Sequence, residues 1–128
     1  MNYRELNNLM KTIQNTIGSQ ETKVQKKLVK IFEKMKPYYT VYQDLVEDHR
    51  LDNAQVDEKG TLILNDKGDY NFTKEGLKAL GIKLKEVDAK TFDFTPIPVV
   101  NPQGLEKLTF LKGWLSGVEF EEEADEEL

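Results

Sequence analysis

The apolar positions of this chain follow a helical period most clearly over residues 21–50. Spacings of three and four residues separate the members of one apolar stripe, which Phe32, Tyr39 and Val46 widen into a face. The stripe consists of Val24, Leu28, Ile31, Met35, Tyr38, Tyr42 and Leu45. We therefore expect a long amphipathic helix whose opposite side is polar and rich in lysine.

Pro37 lies inside this helical pattern, where a proline removes one backbone hydrogen bond and costs about 3 kcal/mol or more. The stripe nevertheless keeps its phase from Met35 to Tyr38, which two separate helices would have no reason to do. The sequence favours one kinked helix of roughly 26 residues, on the order of 40 Å long. The alternative is a helix ending at Met35 and a second helix that starts with Pro37.

A shorter helical pattern precedes the long one, over residues 2–17. Its apolar face consists of Leu6, Leu9, Met10, Ile13 and Ile17. Gly18 is suited to end this helix and Ser19 to cap the next one. The sequence therefore predicts two helices that form an N-terminal hairpin.

From Leu51 the apolar period changes from helical to alternating. Residues 56–73 contain turn sequences around Gly60 and Gly68, and apolar residues alternate with polar ones between and after these turns. The alternating apolar residues are Leu62, Leu64, Tyr70 and Phe72. This pattern predicts an antiparallel β-hairpin that packs on the long helix, because an isolated hairpin is only marginally stable.

The remaining chain mixes helical and extended patterns. Thr73 is the predicted N-cap of a helix that continues to about Lys85. Its inward-facing residues are predicted to be Leu77, Leu80 and Leu84. Residues 91–100 predict an edge strand, because their two prolines cannot donate to a ladder, and residues 101–120 predict short helical segments. The predicted fold is α+β and mostly helical, with the N-terminal hairpin, a small antiparallel sheet and short C-terminal helices.

The charge of the chain is unevenly distributed. Seven acidic residues and no basic one lie within residues 119–128, so the formal net charge of −5 becomes +2 for residues 1–118. The sequence predicts one compact domain over residues 1–118 and a disordered acidic tail over residues 119–128. The chain has no cysteine, no signal-peptide pattern and no apolar run of roughly 20 residues. We expect a cytoplasmic protein, with a virion component as the alternative.

No motif in the sequence points to catalysis or to a bound cofactor. His49 is the single histidine, and a zinc site would need further histidines or thiolates. The turns around Gly60 and Gly68 place lysine where a calcium-binding loop needs an oxygen ligand. A phosphate-binding glycine loop is also absent from the sequence. We predict no enzymatic activity, no cofactor, no metal, no membrane partner and no small-molecule substrate.

Three features are candidates for binding a partner. The lysine-rich side of the long helix has the charge to hold a nucleic-acid backbone, although the favoured interpretation is a solvated face balanced by the acidic second half and tail. We expect so short a chain to leave part of the broad apolar face uncovered, near Pro37 and Tyr39. The acidic tail is suited to a basic surface, either of a partner or of this chain itself. The candidate residues are Lys23, Lys26, Lys27, Lys30, Lys34, Tyr38, Tyr39, Glu121, Glu122 and Glu123.

The order of these features resembles that of small uncharacterised proteins encoded by tailed bacteriophages and prophages. The resemblance rests on the lysine-rich helix followed by VDEKGTLILNDKGDYNF, TKEGLKALGIKLKEV and FDFTPIPV. It implies a phage origin and no particular active site. We expect a non-enzymatic interaction, accessory or structural protein that binds a protein partner or itself. The alternatives are inhibition of a host defence nuclease or another nucleic-acid enzyme through the tail, and weak nucleic-acid binding by the lysine face.

Overall fold

The computed structural model describes residues 1–121, most of which lie in three helices. The helices are α1 (Tyr3–Thr16), α2 (Thr22–Asn53) and α3 (Lys74–Ala89). Two short strands, β1 (Ile97–Pro98) and β2 (Leu115–Ser116), pair with each other, and 3-10 turns cover Ile17–Ser19 and Thr109–Leu111. The prediction of a mostly helical α+β fold is confirmed.

Helix α1 packs against α2, so the two helices form the predicted N-terminal hairpin. A reciprocal cap starts α1: the Asn2 side chain accepts from the Glu5 N–H at 2.9 Å, and the Glu5 carboxylate accepts from the Asn2 N–H at 3.1 Å. The expected cap of α2 by Ser19 is wrong. Its hydroxyl donates instead to the Thr16 carbonyl at 2.8 Å, and Glu21 is the N-cap residue of α2.

Helix α2 runs for 32 residues and continues through Pro37. The prediction of a single helix is confirmed and the alternative break at Met35 is wrong, while the kink at Pro37 stays a prediction. The apolar stripe is covered unequally along the helix. Its buried members are Val24, Leu28, Ile31 and Met35, and its half-buried members are Tyr38, Tyr42 and Leu45.

The core lies between α1, the first half of α2 and residues 105–115. The side chains that are completely enclosed come from all three of these regions. They are Leu6, Met10, Ile13, Leu28, Met35, Leu105 and Leu111. Because burial of each such side chain contributes roughly 1.5–3 kcal/mol, this cluster holds the first half of α2 firmly in place.

A row of aromatic rings joins the helices to the extended chain after α3. Ring centroids lie 4.9 Å apart for Tyr3 and Phe92, 5.6 Å for Tyr38 and Phe94, and 5.2 Å for Phe94 and Trp114. These distances are typical of favourable stacked and edge-to-face ring pairs. The row fixes residues 92–94 against α1 and α2, and this determines where the following chain runs.

The regular sheet is parallel, so the predicted antiparallel sheet is wrong. Ile97 of β1 pairs with Leu115 of β2, while residues 55–71 form only two isolated antiparallel bridges because tight turns keep their extended pieces short. The short helices predicted within residues 101–120 are also wrong. Turns and a 3-10 helix occupy this stretch, because Gly104 and Gly113 adopt φ values of 91° and 84° that a helix does not contain.

Residues 55–62 and 63–70 are two copies of one eight-residue turn unit. In each copy a side-chain oxygen, from Asp57 or Asn65, accepts from the backbone N–H groups two and four residues later at 2.8–3.1 Å. The glycine that follows three residues later, Gly60 or Gly68, has a φ of 81° or 80°. The predicted turns are confirmed, and they are equivalent in geometry.

The two turn units close on each other through a ring of backbone hydrogen bonds. Gln55 N–H donates to Asn71 O at 2.8 Å, Asn71 N–H donates to Ile63 O at 3.0 Å, and Ile63 N–H donates to Gln55 O at 3.0 Å. Gln55, Ile63 and Asn71 lie at intervals of eight positions along the chain. The loop between α2 and α3 is therefore a self-contained unit whose two ends are bonded directly to each other.

This loop contacts α2 through polar groups rather than through its leucines. Leu62 and Leu64 are 37 % and 54 % exposed, so their predicted burial against the long helix is wrong. Tyr70 makes the link instead: its hydroxyl donates to the Glu47 carboxylate at 2.8 Å, and the Arg50 guanidinium lies 5.1 Å from its ring centroid. The alternation of apolar residues was real, but the turns leave no covering layer over the leucines.

Helix α3 begins as predicted, with the Thr73 hydroxyl accepting from the Gly76 N–H at 3.0 Å. Its inward side agrees in part with the predicted one, because Leu84 is half-buried and the prediction for Leu77 is wrong. Leu80 and Val87 are buried, whereas Leu77 is 55 % exposed. The helix therefore meets α2 along a narrower apolar strip than the leucine spacing predicts.

Candidate binding groove

The first half of α2 directs its lysine side chains away from the core. Four of its residues are buried on the side that faces α1, and the lysines occupy the intervening positions. Lys23, Lys26, Lys30 and Lys34 are exposed and Lys27 is half-buried. One helical face thus carries five of the candidate residues within about 17 Å along the axis.

The extended chain after the aromatic row lies opposite these lysines. Ile97 N–H donates to Trp114 O at 2.9 Å and Val99 N–H donates to Ser116 O at 3.0 Å, which attaches this segment to β2. The two bonds point toward β2, so Pro98, between them, presents its backbone to the opposite edge. Residues 97–104 form a fixed wall that runs beside α2.

A groove, here called the α2 groove, separates this wall from α2. Its larger part has a volume of about 610 Å³ and its smaller part a volume of about 420 Å³, and both parts share Lys27, Lys30 and Asn101. Val29 is 48 % exposed and Val100 is completely exposed in the larger part. The groove therefore combines a lysine-rich rim with uncovered apolar side chains.

Lys27 and Gly104 hold the far end of the wall against the helix. The Lys27 ammonium group donates to the Gln103 carbonyl, so it links α2 to the wall. Gly104 has a φ of 91°, and a Cβ at this position would lie 2.5 Å from Cγ2 of Val24. Only glycine allows the wall to approach α2 this closely.

No carboxylate contacts the groove lysines in residues 1–121. The ion pairs within 4.0 Å in this part of the chain join Arg50 to Glu47 and Lys83 to Glu86. Glu21 and Glu33 line the groove but reach none of its lysines at that distance. The groove consequently carries an excess of positive charge that is available to an anionic ligand.

The two candidate tyrosines lie outside the groove. The Tyr38 ring is 5.4 Å from that of Phe92, and the Tyr39 hydroxyl donates to the Asn7 side chain at 3.3 Å. Both rings pack against the core. The structure therefore gives these tyrosines packing partners of their own and separates them from the five lysines.

The acidic candidates fall at the end of the described chain. Glu121 N–H donates to Glu106 O at 2.9 Å, and the Glu106 carboxylate accepts from Gly104 N–H at 2.9 Å. Glu121 is thus attached to the turn that ends the groove wall. Glu122 and Glu123 lie outside the described residues, as do residues 124–128 of the predicted acidic tail.

The wall residues Val99, Val100 and Asn101 are absent from the sequence-predicted candidates. Their signal was a pair of valines directly after Pro98, which indicated an extended segment without indicating which side of it would be exposed. The lysines were recognised because a helical period assigns each residue to a side. The second wall of the groove needed the tertiary structure.

The groove offers charge and apolar contact to a ligand. Within residues 1–121, no cluster of three or more histidine, cysteine, aspartate or glutamate side chains is arranged to hold a metal ion. In the same stretch, no helix combines the length and the apolar character needed to cross a membrane. His49, near the end of α2, accepts from the Asn53 side chain through its backbone carbonyl at 2.8 Å.

Comparison of the chain with protein-family models, with curated proteins and with solved structures gave no significant match. The resemblance to small phage-encoded proteins therefore stays a prediction.

Proposed function

We propose that this protein is a non-enzymatic interaction protein that binds an acidic segment of a partner protein in the α2 groove. The observation that carries the proposal is a single groove in which exposed valines lie beside five lysines that no carboxylate of residues 1–121 contacts. Carboxylates of the partner would pair with the lysines, and its apolar side chains would cover Val29 and Val100.

Two features of the groove favour a protein segment over a nucleic acid. Among residues 1–121, no aromatic side chain on which a base could stack lines either part of the groove. The exposed valines also offer nothing to a phosphate backbone, whereas they suit the apolar side chains of a peptide. Since Pro98 has no N–H, the partner does not add a strand to β1 and binds through its side chains instead.

The test measures binding of a fluorescein-labelled peptide built from repeated Glu-Glu-Leu units, by fluorescence polarisation. The double substitution Lys30→Glu with Lys34→Glu is expected to weaken binding about tenfold or more, equivalent to about 1.4 kcal/mol. The matched control is Lys74→Glu with Lys78→Glu, which reverses two exposed lysines at the same spacing on α3. We expect this control to bind like the unchanged protein.

Three further probes separate the contributions of charge and of apolar contact and compare a peptide with a nucleic acid. Peptides of Gln-Gln-Leu and Glu-Glu-Ser units lack the charge and the apolar side chain respectively, and both should bind more weakly. A labelled single-stranded DNA should bind more weakly than the Glu-Glu-Leu peptide. Tighter binding of the DNA would favour the nucleic-acid alternative, and equal effects of the α2 and α3 reversals would show that the groove is not the binding site.

A further inference from the structure

We infer that residues 122–128 of this chain occupy the α2 groove in the free protein and so compete with an outside acidic segment. This inference rests on the proposed function, because it assigns a regulator to the same groove. The segment has the sequence EEADEEL, with five acidic residues, no basic one, and the apolar residues Ala124 and Leu128. Its composition matches the five lysines and the exposed valines of the groove.

The described chain ends next to the groove. Backbone and side-chain hydrogen bonds connect Glu121 to Glu106 and Glu106 to Gly104, each at 2.9 Å. The neighbouring Gln103 accepts from Lys27 on the opposite side. The acidic segment therefore starts from the turn where the wall and α2 meet.

The length of the segment is sufficient to follow the groove. Seven extended residues span up to about 25 Å, and the helical distance from Lys23 to Lys34 is about 17 Å. A segment attached at the end of the groove is present there at an effective concentration of the order of millimolar. An outside acidic peptide then binds only to the fraction of molecules in which the segment has left the groove.

The first experiment locates the segment directly. The chain contains no cysteine, so Ala124→Cys provides a single attachment point for a nitroxide spin label. We expect the label to broaden the amide resonances of Lys27, Lys30 and Asn101 and to leave those of Lys78 and Gly81 on α3 unchanged. The broadening should decrease as salt is added, because charge attraction holds the segment in place.

Control samples decide whether the contact lies within one molecule. In a mixture of isotope-labelled protein without nitroxide and unlabelled protein with nitroxide, no groove broadening is expected. Broadening that appears only in this mixture would show that the segment enters the groove of a second copy, which overturns the inference. Broadening that is absent or uniform in the directly labelled protein would overturn it as well.

The second experiment measures the competition. A variant with Glu122, Glu123, Glu126 and Glu127 changed to Gln and Asp125 changed to Asn should bind the Glu-Glu-Leu peptide about tenfold tighter than the unchanged protein. The control removes the same number of negative charges from exposed positions on α2 and the turn units. Its substitutions are Asp44→Asn, Asp48→Asn, Asp52→Asn, Glu58→Gln and Asp66→Asn.

The outcomes distinguish this inference from the proposed function. If the peptide binds the unchanged protein and both variants equally, the groove binds acidic segments but its own segment does not occupy it. If both variants gain affinity equally, the effect is one of net charge and the inference is again wrong. If the peptide binds none of the three proteins, the proposed function itself is wrong.

Discussion

The two halves of α2 are held in the fold by different kinds of contact. In the first half, the four apolar stripe residues are at most 6 % exposed and belong to the main core. In the second half, the stripe is only half-buried, and hydroxyl groups make the connections: Tyr42 donates to Asp88 at 3.0 Å, and Tyr70 donates to Glu47 at 2.8 Å. One helix therefore combines a region fixed by apolar burial with a region held by half-buried side chains and by hydrogen bonds.

This difference shows what the polar residues of each half do. Apolar burial is the main contribution that positions the first half, and most of its lysines make no contact with a carboxylate of residues 1–121, so they remain available for a ligand. The polar residues of the second half, by contrast, carry part of the attachment to α3 and to the turn units. Lys27 is the exception in the first half, because it donates to the Gln103 carbonyl.

The largest expected effect follows from truncating a core side chain in the first half. Leu28 is completely enclosed, so Leu28→Ala should lower the free energy of unfolding by about 2–5 kcal/mol. The control is Leu77→Ala on α3, where the side chain is 55 % exposed and the expected change is within about 0.5 kcal/mol. Urea unfolding followed by fluorescence of the buried Trp114 measures both. Equal losses would remove the distinction between core and periphery.

A smaller effect is expected from stiffening a turn unit. Gly68 has a φ of 80°, so Gly68→Ala should destabilise the protein by about 1–2 kcal/mol. Gly81 provides the comparison, because it lies in α3 and a Cβ there would meet no atom within 4 Å. Gly81→Ala should stabilise the protein by about 0.5–1 kcal/mol. Thermal unfolding shows whether each substitution lowers or raises the stability of the protein. An unchanged stability of the Gly68→Ala variant would contradict a structural role for the turn unit.

The smallest effect concerns the link between α2 and α3. Tyr42→Phe removes the donor to Asp88 and should cost about 0.5–1.5 kcal/mol at neutral pH. Tyr70→Phe is the matched change on the turn unit, and it should cost less because the Tyr70 hydroxyl is less deeply buried than that of Tyr42. Urea unfolding of both variants ranks the two links. A larger loss for Tyr70→Phe would reverse their order.

The same tyrosine also predicts a dependence on pH. Burial, together with the hydrogen bond to Asp88, raises the pKa of Tyr42 from its ordinary value of 10.0 to about 12. The folded state therefore holds this proton more tightly than the unfolded state, so stability is lost as the pH rises from about 10 to about 12. The Tyr42→Phe variant should lose less stability over this pH interval than the unchanged protein. Identical slopes of stability against pH would contradict the raised pKa of Tyr42.

Regular periodicity explains why the helices could be predicted from the sequence. The stripe kept its phase across Pro37, and this local fact was sufficient to place Met35 and Tyr38 in one helix. The same period placed the lysines on the side opposite the core. Each of these inferences needs only the geometry of a single helix.

The features that could not be predicted depend on distant parts of the chain. Ile97 pairs with Leu115, and two-residue strands give no periodic signal of such a partner. Leu64 and Val100 were apolar residues in extended patterns, yet they are 54 % and 100 % exposed because no other element in the described part of the chain covers them. A sequence pattern says which side chains alternate, but the presence of a covering layer is decided by the whole fold.

The ring of hydrogen bonds at the base of the turn units has a consequence for protein engineering. Because Gln55 and Asn71 are bonded directly, the spacing between the end of α2 and the start of α3 is set at this junction and not by the number of residues beyond it. The tips at residues 58–59 and 66–67 are exposed to solvent. An epitope tag inserted at either tip would therefore be displayed without disturbing the helices or the α2 groove.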